Sequence, residues 1–215
     1  PRSESEAMKK EEVVEAKQPP ARVSKRDAQL ATAAPDPVTV VLSGFDSKEK
    51  EMLGKLLRAR KGKAVDEITD RRVQLLVVKE PAPRTPKFLI AMGRGLPIVT
   101  SSFLEEQARL ERAPQYMPAL LHSGVKYAAS ALLAVSERVR AMLPDKVGAL
   151  DGITFTIGDS IPAASRSVLL DVIKGCGGSI ARRTKKQQEH DEAAVVITDP
   201  DAVYHALLTG EALQQ

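Results

Sequence analysis

The sequence predicts an α/β fold of two similar units, each a central parallel sheet flanked by helices, joined by a helical linker. Three observations predict it. Short β-branched runs alternate with segments of helical period, the signature of strand–helix layers. The pattern restarts near residue 150, an internal repeat at domain scale. The chain has 215 residues, 43% of them hydrophobic, which is enough apolar material for two small cores. Aromatics are 3% with no Trp, so those cores are aliphatic.

Residues 1–37 are expected to be a disordered tail. Seven Lys/Arg offset seven Asp/Glu there, and Pro19, Pro20, Pro35 and Pro37 interrupt any long helix. Val38 to Leu42 is a compact β-branched run and reads as a buried strand. Ser43-Gly44-Phe45 follows. Asp46 opens a helix with Glu49 as its capping-box partner. Met52, Leu53, Leu56 and Leu57 continue it at helical spacing, and Gly62 ends it. Ala64 to Ile68 and Val73 to Val78 read as strands. Pro86 suits the first turn of a helix to about Met92, which Gly93 and Gly95 stop. Pro97 to Thr100 is a strand, and Ser101 or Ser102 caps a helix through Arg112. A first unit over 38–112 is therefore βαββαβα.

The connector over 113–149 begins irregularly at Pro114, Pro118 and Gly124. Lys126 to Leu143 reads as one amphipathic helix that packs between the units. The second unit, 150–215, repeats the order: a strand at Gly152 to Ile157, a helix at Ala163 to Lys174, strands at Ser179 to Arg183 and Ala193 to Thr198, and a helix opened by Asp199-Pro200-Asp201. It stops before a last strand and helix fit, so the expectation is either that the tail is missing from this chain or that the second unit is abbreviated. The chain opens on Pro1 rather than Met, so it is expected to be a piece of a longer protein.

Composition narrows the function. No stretch approaches the roughly 18–20 apolar residues of a membrane span, and residues 1–20 lack the apolar run of a signal peptide. The single Cys176 forbids an internal disulfide or a Cys-based zinc site and reads as a small buried hydrophobe. His122, His190 and His205 are too scattered for a metal centre. The net charge of +4 and pI near 9.2 favour acidic partners.

The motifs that remain are specific. Ser43-Gly44 directly follows the first strand. Arg84-Thr85-Pro86-Lys87-Phe88 opens the second helix, and Gly93-x-Gly95 precedes the fourth strand. Leu150-Asp151-Gly152 enters the second unit, whose turn is Gly177-Gly178. With these residues, 38–210 resembles a tandem BRCT module, Phe103 standing where the last helix of a unit usually carries Trp. More faintly, the region resembles the BRCT module of a kinetoplastid kinetochore protein. The resemblance implies a protein-interaction module rather than an enzyme, with no cofactor. It implies a nuclear setting, at the kinetochore in chromosome segregation or on chromatin in the DNA-damage response.

It also implies a partner, a phosphoserine or phosphothreonine peptide. The phosphate would be held by the Ser43 hydroxyl, the Gly44 N–H, Lys87 and, assisting, Thr85. Free sulfate or phosphate would fit the same place. The chemistry is reasonable, because a hydroxyl, a free amide at a helix N-terminus and a cation are what an anion requires. Arg84 would orient the peptide. Leu89 would face a groove between the units. Pro162 and Ala163 stand where relatives carry larger groove residues, so a different preference is expected at the third residue after the phosphate.

Other readings are weaker. Gly158-Asp159-Ser160-Ile161 imitates a serine-esterase block, but His205 follows Asp201 at the wrong spacing. No GxxxxGK[ST] loop is present. Basic clusters at Arg58-Arg60-Lys61-Lys63, Arg71-Arg72 and Arg182-Arg183-Lys185-Lys186 offer an alternative, a DNA- or microtubule-binding module. Acidic residues interleave them, and no aromatics accompany them for base stacking.

Overall fold

The computed structural model describes residues 37–106, 117–122, 124–142, 147–181 and 194–211. The expected tail, the end of the 101–112 helix and the Arg182 to Lys186 run lie outside these residues.

The first sheet has four parallel strands, β1 (Val38–Ser43), β2 (Gly62–Val65), β3 (Val73–Val78) and β4 (Ile98–Thr100), in the order β2-β1-β3-β4. The central strands are apolar at consecutive positions because both their faces are covered. Val40, Leu42, Leu75 and Val77 face one side. There they pack on Leu53 and Leu57 of α1 (Ser47–Ala59) and on Phe103 and Leu104 of α3 (Ser101–Glu106). Val41, Leu76 and Val78 face the other side, toward α2 (Pro86–Gly93). The Asp46/Glu49 capping box is formed, each side chain bonding the other's backbone N–H at 2.9 Å.

The connector differs from expectation at its start. Residues 120–127 form an antiparallel hairpin, β5 (Leu120–His122) with β6 (Val125–Tyr127). The linker helix, α4 (Ala129–Met142), begins only after it. Leu132, Val135, Ser136 and Val139 are the buried face of α4. Arg140 Nε donates to the Gly95 carbonyl at 3.0 Å and holds the helix against the first unit.

The second unit repeats the pattern with β7 (Thr154–Ile157), α5 (Ala163–Gly175), β8 (Ser179–Ile180), β9 (Val195–Ile197) and α6 (Pro200–Thr209). Among the described residues its sheet has three parallel strands, β8-β7-β9. Among the described residues no strand takes the place of β4 at its edge. A single apolar core runs from Val41 and Phe88 through Leu132 of α4 to Phe155, Leu169 and Val203. Helix α2 is at its centre, with every residue from Phe88 to Gly93 buried.

The approach between α2 and α5 is close enough to constrain sequence. A Cβ on Gly93 would lie 2.3 Å from Cys176 Sγ, a distance no side chain tolerates. Cys176 is fully buried, and burial pushes its thiol up to about 12. This agrees with the reading of Cys176 as a packing residue.

Candidate functional site

The site forms where β1 ends against the start of α2. Ser43 is the last residue of a strand whose inner positions are apolar, so its side chain is carried to the sheet edge yet remains 5% exposed. Gly44 turns the chain away from the sheet with φ +84°, a left-handed conformation natural only to glycine. A Cβ there would also sit 3.3 Å from Pro83 Cγ. Gly44 is exposed, so an anion can reach its backbone.

Thr85 is the N-cap of α2, its hydroxyl accepting from Phe88 N–H at 3.1 Å. Pro86 supplies a fixed φ at the first helical position. Ser43 Oγ and Thr85 Oγ1 lie 3.0 Å apart, sharing a hydrogen bond across 42 residues of sequence. Lys87, half-buried in the first turn, has no acidic partner among the described residues. Two hydroxyls and an exposed glycine thus meet beside a helix N-terminus whose first turn carries Lys87. Such an arrangement suits a tetrahedral anion.

Lys79 is a residue that sequence reasoning missed. Its N–H bonds the Ser43 carbonyl at 3.3 Å, so it borders the site. Its ammonium pairs with Glu49. The hydrogen bond from Lys79, then the Asp46 backbone N–H, hold the Glu49 carboxyl below its ordinary range. The same bond raises Lys79. The pairing of a capping-box glutamate with a lysine 30 residues away has no sequence signal.

Arg84 points across to the second unit. Its side chain is 17% exposed, donates to Asp201 Oδ1 at 2.7 Å and stacks on the Tyr204 ring at 4.8 Å. Between the units lies a groove of about 510 Å³ lined by Arg84, Ser165, Val168, Asp199, Pro200 and Tyr204, among others. Leu89 is not among its lining residues. It is 2% exposed and packed in the core, because α2 is enclosed on all sides. Pro162 and Ala163 are likewise off the groove wall, which α5 supplies one turn later from Ala164, Ser165 and Val168.

The remaining sequence candidates are not brought together. His205 Nδ1 lies 3.4 Å from Tyr127 Oη and its Nε2 3.5 Å from Glu211. Asp159, next to Ser160, faces Arg166 at 3.7 Å. Arg72 is held by Asp70 at 2.8 Å, and Arg60 donates to the Glu105 carbonyl. Among the described residues no group of three metal-ligating side chains occurs, and no helix is long and apolar enough to cross a membrane.

Residues 36–107 match the family model of the BRCA1 C Terminus (BRCT) domain. Among solved structures, the BRCT5-BRCT6 domains of S. pombe Brc1 are similar with a TM-score of 0.53 and 16% identity, over 81% of this chain and 93% of that one. The S. pombe Nbs1-Ctp1 complex gives a TM-score of 0.40 at 8% identity, over 80% and 56% of the two chains. Rad4 BRCT1,2, solved in complex with a Crb2 phosphopeptide, gives 0.28 at 15%, over 68% and 69%. No curated protein matches the chain. The kinetochore resemblance has no counterpart in these comparisons.

Proposed function

We propose that this chain, whose residues 36–107 match the BRCT family model and whose fold is similar to that of a BRCT pair, is a phosphoserine- or phosphothreonine-peptide binding module. Ser43, Gly44, Thr85 and Lys87 hold the phosphate, and Arg84 orients the peptide. The observation that carries this reading is the 3.0 Å Ser43–Thr85 contact, which sets the end of β1 against a helix N-terminus whose lysine has no acidic partner among the described residues.

The energetics fit modest affinity. Each hydrogen bond to a charged group contributes about 1.5–3 kcal/mol. Three give roughly 4–9 kcal/mol before ordering costs, where micromolar binding needs about 8 kcal/mol. The peptide must gain the rest from the groove beside Arg84. The proposed setting is nuclear, at the kinetochore or on damaged chromatin, and rests on the resemblance to nuclear BRCT proteins.

The test is affinity for a degenerate phosphoserine/phosphothreonine peptide library beside its unphosphorylated twin, with wild type and Lys87→Met. Phosphate-dependent binding lost in Lys87→Met supports the reading. Equal binding to both libraries overturns it and turns attention to the basic clusters and polymeric partners.

A further inference from the structure

We infer that the first unit carries a second anion-binding surface, at the end of its sheet away from Ser43, and that this surface holds the phosphate backbone of a nucleic-acid duplex. The inference shares no residue with the phosphopeptide reading and does not depend on it.

The parallel register gathers the basic residues at that end. Val38 pairs with Gly62 and Thr39 with Val73, so β1, β2 and β3 start side by side. Helix α1 returns to the same end before β2 begins. Arg58, Lys61 and Lys63 therefore flank the start of β2, and Arg71 precedes the start of β3, two strands away at about 5 Å per strand. Ser43 closes β1 at the opposite end, about 16 Å off at 3.3 Å per extended residue. Residues 58–72 hold six Lys/Arg against three Asp/Glu, so this stretch carries most of the chain's net charge of +4.

Two of the six are engaged by their own chain, Arg72 by Asp70 and Arg60 by the Glu105 carbonyl. Arg58, Lys61, Lys63 and Arg71 are exposed and have no ion pair among the described residues. Arg58 suits the negative end of α1. Lys61 needs another reason. Its φ is +59°, and among the described residues it is the one non-glycine with a left-handed backbone. Glycine fills such a place after a helix without strain. A long cation held there against the backbone's preference points to a partner outside the chain.

The neighbouring chemistry selects the partner. No Phe, Tyr or Trp lies in 58–72, so unpaired bases find no stacking platform. No large apolar side chain is exposed in the same stretch, so a folded acidic protein finds no anchor for the centre of an interface. A duplex backbone asks only for cations and is held without reading sequence. Asp66 and Glu67 are exposed beside the patch and keep the binding weak.

The test is fluorescence anisotropy with a labelled mixed-sequence DNA duplex and the RNA duplex of the same sequence, which distinguishes the two sources of the backbone. Affinity for at least one should fall roughly 40–150-fold from 50 to 200 mM salt, as three or four phosphate contacts require. Lys61→Glu/Lys63→Glu should weaken binding about tenfold or more, whereas Lys126→Glu/Lys174→Glu, the same charge change on exposed lysines elsewhere, should weaken it less than about threefold. Lys61→Gly relaxes the left-handed position, so its melting temperature should hold or rise, yet duplex affinity should fall about threefold. Lys87→Met should bind the duplex as wild type does. No duplex binding at about 50 mM salt, equal losses in the two double variants, or full affinity in Lys61→Gly overturns the inference. Tighter binding to poly-glutamate than to either duplex also overturns it and assigns the surface to an acidic protein. Loss in Lys87→Met alone places the duplex on the phosphate site and overturns it as well. None of these outcomes touches the phosphopeptide reading, which the peptide libraries test separately.

Discussion

The two units open their last-described crossover helices with the same frame and opposite charge. In the first, Thr85-Pro86-Lys87 starts α2; in the second, Asp199-Pro200-Asp201 starts α6. Each N-cap side chain accepts a backbone N–H of the first turn, and each proline fills the first helical position. The strand ends differ in the same sense: Ser43 closes β1 and Gly44 follows it, whereas Gly158-Asp159 follows β7. A helix N-terminus favours an anion. In the second unit Asp199 and Asp201 supply that anion from the chain itself. In the first, uncharged hydroxyls and Lys87 leave the place for an outside one. The fold repeats the backbone, and a few side chains decide whether the helix end meets a negative charge from its own chain.

This contrast can be tested by exchange. Lys87→Asp gives α2 the charge of α6, and phosphopeptide affinity should fall about 100-fold or more, since an attraction becomes a repulsion. Titration by fluorescence anisotropy would measure it, and a loss below about threefold would mean that Lys87 does not face the phosphate. Gly93→Ala attacks the seam that holds the two units in one frame. It should cost about 1–3 kcal/mol by overpacking, measured by denaturant unfolding. Adding Cys176→Ala should recover part of that loss, because the sulfur is the nearest obstruction to the new methyl. A strictly additive double mutant would contradict the packing described.

A smaller effect is expected at the border of the first site. Glu49→Gln keeps a capping-box acceptor but releases Lys79, which then adds positive charge beside Ser43. Phosphopeptide affinity should rise about two- to fivefold at low salt. A decrease would place Lys79 outside the field of the phosphate. The mildest test is alkaline. The Cys176 thiol is raised to about 12 in the folded chain, against about 8.5 for an unfolded thiol. Between these values the unfolded state has released a proton that the folded state retains. The contribution is therefore complete below about pH 8.5 and is lost as pH rises toward 12. The melting temperature of Cys176→Ala should fall less steeply from pH 8 to 11 than that of wild type, and equal slopes would refute the assignment.

Much of the frame was legible in the sequence, because β-branched runs and helix caps are local signals. The β1 strand, the Asp46 capping box and the Pro86 helix start follow from neighbouring residues alone. The hairpin at 120–127 was not legible. Its strands are three residues each, and the turn at Gly124 sits among residues with no clear alternation. The second strand came out as Gly62–Val65 rather than Ala64 to Ile68, since pairing with Val38–Val41 sets its register and Ile68 turns inward to the core. Leu89 was misjudged for a physical reason. A helix buried on every side has no apolar stripe, so the residue that borders a groove cannot be told from one that fills the core. Ser43, Gly44, Thr85 and Lys87 were readable as motifs. The Arg84–Asp201 pair was not, because 117 residues separate its members and each looks locally like a turn or a cap.

The close packing at Gly93 also bears on how this molecule comes apart. Helix α2 is shared property: its first turn carries Thr85 and Lys87, while its last residue rests on the second unit's cysteine. Neither half can loosen without exposing the apolar surface of that helix, so the two should melt together in one cooperative transition. Damage far from Ser43, at the end of α5, would then be felt as lost binding through misplacement of the helix that bears Lys87.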